Sequence, residues 1–467
     1  MGHIVHILKN MNSSINRAVT LAHRLEAAGH QVTLLSPADL GQRMNAEGLE
    51  FEHLQGDQQI RDDWLHRNRG LHPVRRLLAR RKPRRASLAN PEIERVVRRL
   101  MPDLLLIDLE LHYVVIASAE LGIPTAVIEG WYGIFERPGL PPTHTDIIPD
   151  GTAHTQSRIQ QAWAELRQAK RRQRIRRRFS PSRLRTAGRP VRYQTMDLEE
   201  LKAVARMHGF DFKREIDLDA WPIPMAYRRL PVLSCCAWEL EFPHDPHPLM
   251  RYLGPLVQSE RKETNVSPQS MALWDDFQFK RRVEGKPERP LLYCSLGTYW
   301  AADLEFLKRI VMVLERHPEW DLVLGLGSKV DPAQLSALPA NVLALDFAPQ
   351  LAVLKQAQCM ITHGGSTTLN ECIHFGVPML MYSTGHGDQN GNAARVVYHG
   401  LGLLGDRVQD DATAIENRLL RILSDAGLRH EVDKMRTRFK AYETDGTAVR
   451  LIEQLMSVPA GTQTDPV

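Results

Sequence analysis

The sequence predicts an α/β protein in which two doubly wound parallel sheets, each forming its own domain, face a cleft. Short apolar runs alternate with helical segments twice along the chain, once over residues 1–150 and again from residue 290 onward. A polar stretch without this alternation, residues 251–289, separates the two regions and is interpreted as a linker. The length of 467 residues also exceeds what a single core usually holds, so two domains are expected.

The first domain, residues 1–250, opens with a strand–helix–strand unit. Residues 3–8 are an apolar run, residues 16–28 have helical character, and a second strand is expected at residues 31–36. A unit of this size implies parallel strands. Residues 103–107 and 125–128 are further apolar runs, of the kind expected for strands covered on both faces.

Arginine dominates residues 151–214, where aromatic and β-branched residues become sparse. A helix is expected over residues 157–178, and we interpret the whole segment as an arginine-rich helical insertion in the first domain. This run and a second one at residues 69–99 are typical of solvated helix faces. Contact with an anionic membrane or an acidic substrate is the alternative.

The α/β pattern restarts at residue 290 and indicates a second domain over residues 290–440. A strand at residues 291–295 runs into a glycine turn, followed by a helix at 302–316 and strands at 322–326 and 342–345. Residues 441–467 are expected to form a final helix and a polar tail. Two such domains place a ligand in the cleft between them, at the carboxyl ends of the strands.

Composition excludes several classes of protein. The hydrophobic fraction of 43% and the charged fraction of 25% are typical of globular domains, and a net charge of +5 does not indicate a nucleic-acid partner. No apolar run approaches the ~20 residues that span a bilayer, and the first residues lack a secretory pattern. Five cysteines without metal-ligand spacing indicate a reducing compartment. We expect a cytoplasmic protein, at most in peripheral contact with the inner face of a membrane.

A glycine turn between a strand and a helix predicts an anion site. Residues 361–362 end a strand, Gly365 follows in a turn, and Ser366 and Thr367 open the next helix. The N-terminus of a helix offers free N–H groups and a favourable dipole to a diphosphate. His363 and Thr368 can add hydrogen bonds. The alternative is an ordinary turn capped by Ser366.

Two further residues suggest that the diphosphate belongs to a ribonucleotide. Glu371 stands three residues beyond Thr368, on the same helix face, where its carboxylate could accept hydrogen bonds from both ribose hydroxyls. Phe347 follows the strand at 342–345 and could stack on a base. A solvated glutamate that stabilises the first helical turn and a phenylalanine in the core are the alternatives.

Sugar contacts are expected from two loops. Asp388 and Gln389 follow the strand at 379–382 and could bond sugar hydroxyls. On the opposite lip, the turn formed by Ser295, Gly297 and Thr298 would bring backbone groups to the distal phosphate. A glycine turn alone is weak support, so this prediction depends on the other motifs.

In their order, these motifs closely resemble the nucleotide-sugar signature of the UDP-glycosyltransferase family, the inverting GT-B enzymes that glycosylate small lipophilic molecules. The match covers about residues 290–405 and consists of Ser-Leu-Gly-Thr, Ala-Pro-Gln, His-Gly-Gly, a glutamate, Gly-Val-Pro-Met, Asp-Gln and Asn-Ala. A fainter resemblance extends over residues 1–150. Within the family the chain looks most like bacterial carotenoid (zeaxanthin) glucosyltransferases, and less like macrolide glycosyltransferases.

The resemblance implies a GT-B fold, a UDP-sugar donor, most commonly UDP-glucose, and neither a metal nor another cofactor. It also implies a role for each matching residue: base stacking by Phe347, base contact by Gln350, phosphate contact by His363 and Thr368, ribose binding by Glu371, and sugar binding by Asp388 and Gln389. The acceptor is expected to be small and lipophilic or amphipathic.

The chain departs from the family at the catalytic base. Family members usually carry a histidine in the loop after the first strand, held by an aspartate, and Ser14 stands at that position here, with Asp108 as the matching aspartate. A serine is not basic enough to replace histidine near neutral pH. Asp108 or His112 could serve as the base, the acceptor could arrive ionised, or the protein could bind a nucleotide sugar without transferring it.

Other candidate sites are weaker. His244, Asp245 and His247 could bind a metal, but the prolines among them favour an exposed loop. Asp217 and Asp219 match the Asp-x-Asp pattern of metal-dependent glycosyltransferases, which we interpret as coincidence. We therefore predict an inverting transferase, with an impaired nucleotide-sugar-binding or partner protein as the alternative. An epimerase on the same fold is disfavoured by the Asp-Gln and Pro-Gln pairs.

Overall fold

The computed structural model describes residues 1–54, 92–179, 198–220, 225–263, 266–283, 288–297, 303–327, 330–335 and 338–457. These ranges exclude Thr298, residues 69–91 of the arginine run at 69–99, residues 180–197 of the predicted insertion, and the polar tail after residue 457. The predictions made for those residues stay predictions.

The first domain is built on a parallel sheet. Its strands are β1 (His3–Ile7), β2 (Gln31–Ser36), β3 (Glu50–His53), β4 (Leu104–Asp108), β5 (Thr125–Glu129), β8 (Val232–Ser234) and β9 (Met250–Tyr252), and a separate antiparallel pair is formed by β6 (Ile216–Asp217) and β7 (Ala226–Tyr227). The order across the sheet is β3-β2-β1-β4-β5-β8-β9, with every pair parallel. Apolar clusters cover both faces, as the continuous apolar runs predicted.

Seven helices accompany this sheet among the described residues: α1 (Asn12–Ala27), α2 (Gly41–Glu47), α3 (Glu92–Leu100), α4 (His112–Ser118), α5 (Ala153–Phe179), α6 (Leu198–Met207) and α7 (Phe212–Glu215). The predicted insertion helix is α5. The buried Trp163 anchors it, because its indole N–H donates to the Leu140 carbonyl at 2.7 Å. Helix α1 begins four residues before its predicted start, so Ser14 lies in its first turn.

The second domain is built on another parallel sheet. Its strands are β10 (Leu291–Ser295), β11 (Asp321–Gly325), β12 (Val342–Leu345), β13 (Cys359–Thr362), β14 (Met379–Met381) and β15 (Gly402–Leu404), in the order β12-β11-β10-β13-β14-β15. Its helices are α8 (Pro268–Val283), α9 (Leu304–Arg316), α10 (Gln350–Leu354), α11 (Ser366–Phe375), α12 (Gln389–Tyr398), α13 (Ala412–Ser424) and α14 (Ala426–Thr444). Both sheets have the doubly wound order that the alternating pattern predicted.

The predicted linker at residues 251–289 was wrong in its extent. Helix α8 occupies 16 of these residues and packs Trp274 and Phe277 into the core of the second domain. Few apolar residues anchor this helix, which is why its composition indicated a linker. The connection between the domains is therefore confined to residues 253–267.

The last helix, α15 (Thr447–Met456), returns to the first domain. Ala448 and Ile452 belong to the same apolar cluster as α1, and His30 lies 3.2 Å from the Glu453 carboxylate. A buried ion pair joins the domains a second time, since Arg395 of α12 contacts Glu241 at 2.5 Å with both side chains at most 1% exposed. The two domains are thus held together at several points along the cleft.

None of the described helices is both long enough and apolar enough to cross a membrane. All five cysteines are buried and free.

Candidate functional site at the interdomain cleft

The cleft is lined by the points where the strand order of each sheet reverses. In the second sheet the reversal lies between β10 and β13, whose carboxyl ends carry Ser295 and Thr362. In the first sheet it lies between β1 and β4, and β4 ends at Asp108. Ligands of doubly wound sheets bind at such points, so both sets of candidate residues are where a ligand is expected.

The N-terminus of α11 has the properties of an anion site. Gly364 has a φ of +92°, which favours glycine, and Gly365 is the N-cap residue. No side chain caps the helix, so the alternative of a turn capped by Ser366 is wrong. The atoms His363 Nδ1 and Thr367 Oγ1 are buried here and have no hydrogen-bond partner among the described residues. Free backbone N–H groups and two unpaired polar atoms are what a diphosphate would satisfy.

His363 packs against the glycine turn of the opposite lip. Gly297 has a φ of +86°, and a Cβ built on it would lie 2.6 Å from Cε1 of His363. Burial lowers the pKa of His363 to about 4, although the nearby backbone of Ser295 opposes the shift. The ring is therefore neutral near pH 7. Gly297 and Ser295 lie where the sequence predicted them, beside the proposed phosphate site.

Glu371 is a buried, paired carboxylate. It is 1% exposed, so the alternative of a solvated glutamate is wrong. Its Oε1 accepts from Arg261 at 2.9 Å, and its Oε2 accepts from the side-chain amide of Gln350. The carbonyl oxygen of Gln350 in turn accepts from the Tyr293 hydroxyl at 3.2 Å. The side-chain amide of Gln350 thus bonds Glu371, and the contact of Gln350 with a base stays a prediction.

Arg261 is a contact that sequence reasoning missed. It lies in the connection between the domains, where no motif marks it. The same segment places Glu263 Oε1 at 3.2 Å from the Leu351 backbone N–H, and burial raises the pKa of Glu263 to about 7. The connection thus lies directly beside α10 and α11.

Phe347 is partly exposed and belongs to none of the apolar clusters of described residues, so the structure does not place it in the core. Thr368 is also partly exposed, in the first turn of α11. Both side chains are thus partly accessible to solvent.

Asp388 and Gln389 lie at the start of α12. Asp388 is 8% exposed and accepts from Asn392 at 2.8 Å, and burial raises its pKa to about 6. The side-chain carbonyl oxygen of Gln389 accepts from the backbone N–H of Thr384 at 3.0 Å and from its hydroxyl at 2.7 Å. These bonds fix both side chains close to Gly364, where an added Cβ would lie 3.3 Å from the backbone oxygen of Gln389.

Across the cleft, Ser14 and Asp108 lie in one buried cluster of charged groups. Ser14 is 1% exposed and accepts from Nη2 of Arg17 at 3.3 Å. Asp108 accepts from the Lys9 backbone N–H at 2.9 Å and faces His6 at 3.5 Å. Burial would raise the pKa of Asp108, but the His6 hydrogen bond and nearby positive charge lower it. Asp108 is therefore a weak base.

Two members of this cluster, Arg17 and Glu129, were missed by sequence reasoning. Glu129 ends β5 and is 5% exposed, and its Oε1 accepts from the Gly130 backbone N–H at 2.6 Å. Burial raises the pKa of Glu129 to about 6. The available signal was the position of Glu129, a charged residue at the carboxyl end of the apolar run at 125–128.

Other predicted residues have partners outside this cluster. His112 is 4% exposed and forms a hydrogen bond with the Tyr227 hydroxyl at 2.8 Å. Asp219 forms ion pairs with Arg171 and Arg174 of α5, which supports the interpretation of the Asp-x-Asp match as coincidence. Among the described residues, no group of three or more His, Cys, Asp or Glu side chains could hold a metal ion, and this includes His244, Asp245 and His247.

Comparison with known proteins identifies the second domain. The family model described as "Erythromycin biosynthesis protein CIII-like, C-terminal domain" matches residues 319–455. The NDP-glycosyltransferase YjiC of Bacillus subtilis (strain 168) is 30% identical over 178 residues, which cover 38% of this chain and 45% of YjiC. The zeaxanthin glucosyltransferase of Pantoea ananas is 28% identical over 221 residues, or 47% of each chain. The chain thus spans less than half the length of either relative.

A solved structure extends the comparison to the whole fold. The glycotransferase of kitacinnamycin superposes with a TM-score of 0.63 at 19% identity, covering 97% of this chain and 98% of that chain. Such a likeness concerns architecture alone. The chain therefore has the GT-B fold, and its second domain resembles the C-terminal domain of the EryCIII-like family.

Proposed function

We propose that the protein is an inverting glycosyltransferase that moves a sugar from a UDP-sugar, with UDP-glucose as the first candidate, to a hydroxyl or acidic oxygen of a small lipophilic acceptor. The observation that carries this proposal is the uncapped N-terminus of α11, where His363 Nδ1 and Thr367 Oγ1 are buried without partners among the described residues. The names of the matched relatives support transfer from a nucleotide sugar.

In this proposal the second domain holds the donor. The diphosphate lies against the N-terminus of α11, whose dipole and N–H groups stabilise the negative charge that grows on the leaving group. Phe347 stacks on the base, while Asp388 and Gln389 bond the sugar. The helix terminus supplies the positive potential, so we propose transfer without a metal or another cofactor. A chelator should leave the rate unchanged.

The acceptor would approach from the first domain, on the side of the anomeric carbon opposite the diphosphate. Attack from that side inverts the configuration, so an α-linked donor would yield a β-glycoside. The buried charged cluster around Asp108 lies on this side of the cleft. It is the part of the molecule where the acceptor oxygen must lose its proton.

The proposal is tested by measuring UDP release from a panel of UDP-sugars, with and without a lipophilic extract of the producing cells. Extract-dependent release from one sugar would establish transfer and name the donor. No release by a protein that binds UDP would favour the second candidate function, an impaired binding or partner protein, which Ser14 motivates. In that case Ser14→His should raise turnover strongly. An unchanged rate would point instead to a different base or an ionised acceptor.

We further propose a cytoplasmic location with peripheral contact at an anionic membrane through α5. Arg172 and Arg176 are exposed on this helix beside Ile175, which is 60% exposed, whereas Arg171 and Arg174 are paired with Asp219. Binding to vesicles that contain phosphatidylserine should fall steeply between low and physiological salt. Replacing Arg172 and Arg176 by Gln should weaken it, whereas salt-insensitive binding would contradict the proposal.

A further inference from the structure

The proposed transferase needs a group that takes the proton of the acceptor, and the position of the family's histidine is occupied by Ser14. Asp108 is not available for this task. Its Oδ2 accepts from the Lys9 backbone and its Oδ1 faces His6, and these contacts lower its pKa. His112 forms a hydrogen bond with Tyr227, which belongs to an apolar cluster. The charged cluster also contains the carboxylate of Glu129.

We propose that Glu129 is the general base of the transfer reaction, in the place of the histidine that Ser14 has replaced. Glu129 ends β5, which neighbours β4 and Asp108 in the sheet, so the two carboxylates emerge at the same edge. Its Oε1 is held by the Gly130 N–H at 2.6 Å. The second oxygen, Oε2, is the one that can accept a proton from a bound hydroxyl.

Arg17 connects Glu129 to the position of the missing histidine. Its Nη2 lies 3.3 Å from the Ser14 hydroxyl, and its Nη1 lies 2.4 Å from where a Cβ of Gly130 would stand. Only a glycine leaves room for the guanidinium at that place. The guanidinium therefore lies against the residue that follows Glu129, one helical turn from Ser14, and Glu129 is beside the expected location of the base.

Glu129 also lies on the side of its domain that approaches Asp388. The charge of Arg17 acts on both Glu129 and Asp388, so the three groups are near one another. The loop that follows Glu129 reaches the same place, since a Cβ on Gly387 would lie 3.8 Å from the ring of Trp131. An acceptor oxygen bound between Glu129 and the donor sugar would thus meet both partners of the reaction.

The charges around Glu129 leave it moderately basic. Burial raises its pKa to about 6 and Glu110 adds to the shift, while Lys9 and Arg17 oppose it. Asp108, Cys235, Cys236 and Asp388 are further titratable groups near Arg17. Lys9 is itself paired with Glu110 at 2.8 Å. A base works best when its pKa lies near the working pH, which favours Glu129 over Asp108.

The proposed step is a single displacement at the anomeric carbon. The acceptor oxygen forms a bond to that carbon while the bond between the carbon and the phosphate oxygen breaks. The electron pair of the broken bond leaves with UDP. The hydroxyl proton moves to Oε2 of Glu129 and is later released to water. The role of Glu129 rests on the proposed transferase function. The experiment must therefore distinguish a wrong base from a protein that transfers no sugar.

The test compares the wild type, Glu129→Gln and the matched control Glu110→Gln, using UDP-glucose with water and with azide as nucleophiles. Water must lose a proton and needs a base, whereas azide arrives as an anion and needs none. We expect Glu129→Gln to bind UDP as the wild type does and to lose about 100-fold or more of its UDP release to water. Azide should restore most of the release and yield a glycosyl azide. Glu110→Gln should stay within a few-fold of the wild type.

Two further readouts separate a base from a structural role. The acid limb of the wild-type pH profile, with a midpoint near pH 6, should disappear in Glu129→Gln, and adding Ser14→His to that variant should restore turnover. Unchanged release by Glu129→Gln, or a loss that azide does not repair, would overturn the role of Glu129. If the wild type releases no UDP from any sugar with water, azide or extract, the proposed transferase function itself fails.

Discussion

At the scale of single residues, His363 links the proposed diphosphate site to pH. Burial lowers its pKa in the folded protein to about 4, below the ~6.5 of an unfolded histidine. The unfolded chain therefore binds more protons between these values, and the ligand-free protein loses stability as the pH falls from about 6.5 to about 4. A bound diphosphate favours the imidazolium and should offset this loss.

We accordingly predict that saturating UDP raises the Tm more at pH 5.5 than at pH 7.5 in the wild type. The difference should vanish in His363→Gln, because that side chain does not titrate. Scanning fluorimetry at both pH values measures it. A pH-dependent UDP shift that persists in His363→Gln would show that another group carries the proton.

Gly297 provides a second prediction at this scale. In Gly297→Ala the new Cβ meets both a φ of +86° and the His363 ring at 2.6 Å. Gly48→Ala is a matched control, since Gly48 has a φ of +74° with nothing within 4 Å. Both variants should lose about 1–2 kcal/mol from backbone strain, but only Gly297→Ala should weaken UDP binding, by about tenfold or more. Calorimetric titration measures the affinities, and equal affinities would place the phosphate away from His363.

At the scale of elements, the connection between the domains takes part in the donor site. Arg261 pairs with the buried Glu371, which is also held by Gln350, and Glu263 bonds the backbone of α10. The carboxylate proposed to bind the ribose is therefore occupied by a residue of the connection. Ribose hydroxyls that enter this site must replace or share those contacts.

Arg261→Met should destabilise the ligand-free protein by about 3–5 kcal/mol, because it leaves a buried carboxylate unpaired. The stabilisation by UDP should grow, since ribose hydroxyls would then supply the missing donors. Lys355→Met is the control, because its pair with Glu260 is exposed. Thermal melts with and without UDP measure both effects, and a smaller UDP shift in Arg261→Met would mean that Arg261 itself binds the nucleotide.

Glu371→Ala tests the ribose role directly. Because a 2′-deoxy nucleotide offers one hydroxyl fewer to the carboxylate, the variant should weaken UDP far more than dTDP. Competition binding of the two nucleotides measures the ratio. Equal losses for both would refute the ribose role of Glu371.

At the scale of the whole molecule, the two domains are joined by buried polar contacts as well as by the chain. Arg395 of the second domain pairs with Glu241 of the first and lies over the rings of Tyr132 and Phe242 at 5.2 and 4.5 Å. The Gly391 N–H also donates to the Thr143 carbonyl at 2.9 Å. These contacts fix how the donor domain faces the cluster around Glu129.

Arg395→Met should lower stability by about 3–5 kcal/mol, because the buried Glu241 would lose its ion-pair partner. It should also loosen the domain interface and speed tryptic cleavage of the connection between the domains. Arg316→Met is the control, since its pair with Glu416 is 45% exposed on the Arg316 side and is worth less than about 1 kcal/mol. Unchanged cleavage in Arg395→Met would show that the ion pair does not hold the domains together.

The fold and the position of the proposed donor site follow from local patterns in the sequence. The apolar runs of β4 and β10 and the helices between strands predicted two doubly wound domains, because strand and helix periodicity depends on near neighbours. The glycine turn before α11 and the residues that follow it predicted the diphosphate site, since a strand, a turn and a helix N-terminus are contiguous in the chain. The bounds of the linker did not follow from such patterns. Helix α8 was missed because a helix with few apolar anchors resembles a linker in its sequence.

The acceptor side and the contacts between the domains were decided by the tertiary structure. Arg17 and Glu129 are separated by more than 100 residues and meet only because β1 and β5 lie on either side of β4. Arg261 reaches Glu371 across a similar separation, and α15 returns to α1 from the end of the chain. The sequence by itself determined where strands, turns and helix ends lie. Which charged side chains are buried together depends on how sheets and domains pack, and no spacing rule in the sequence records it.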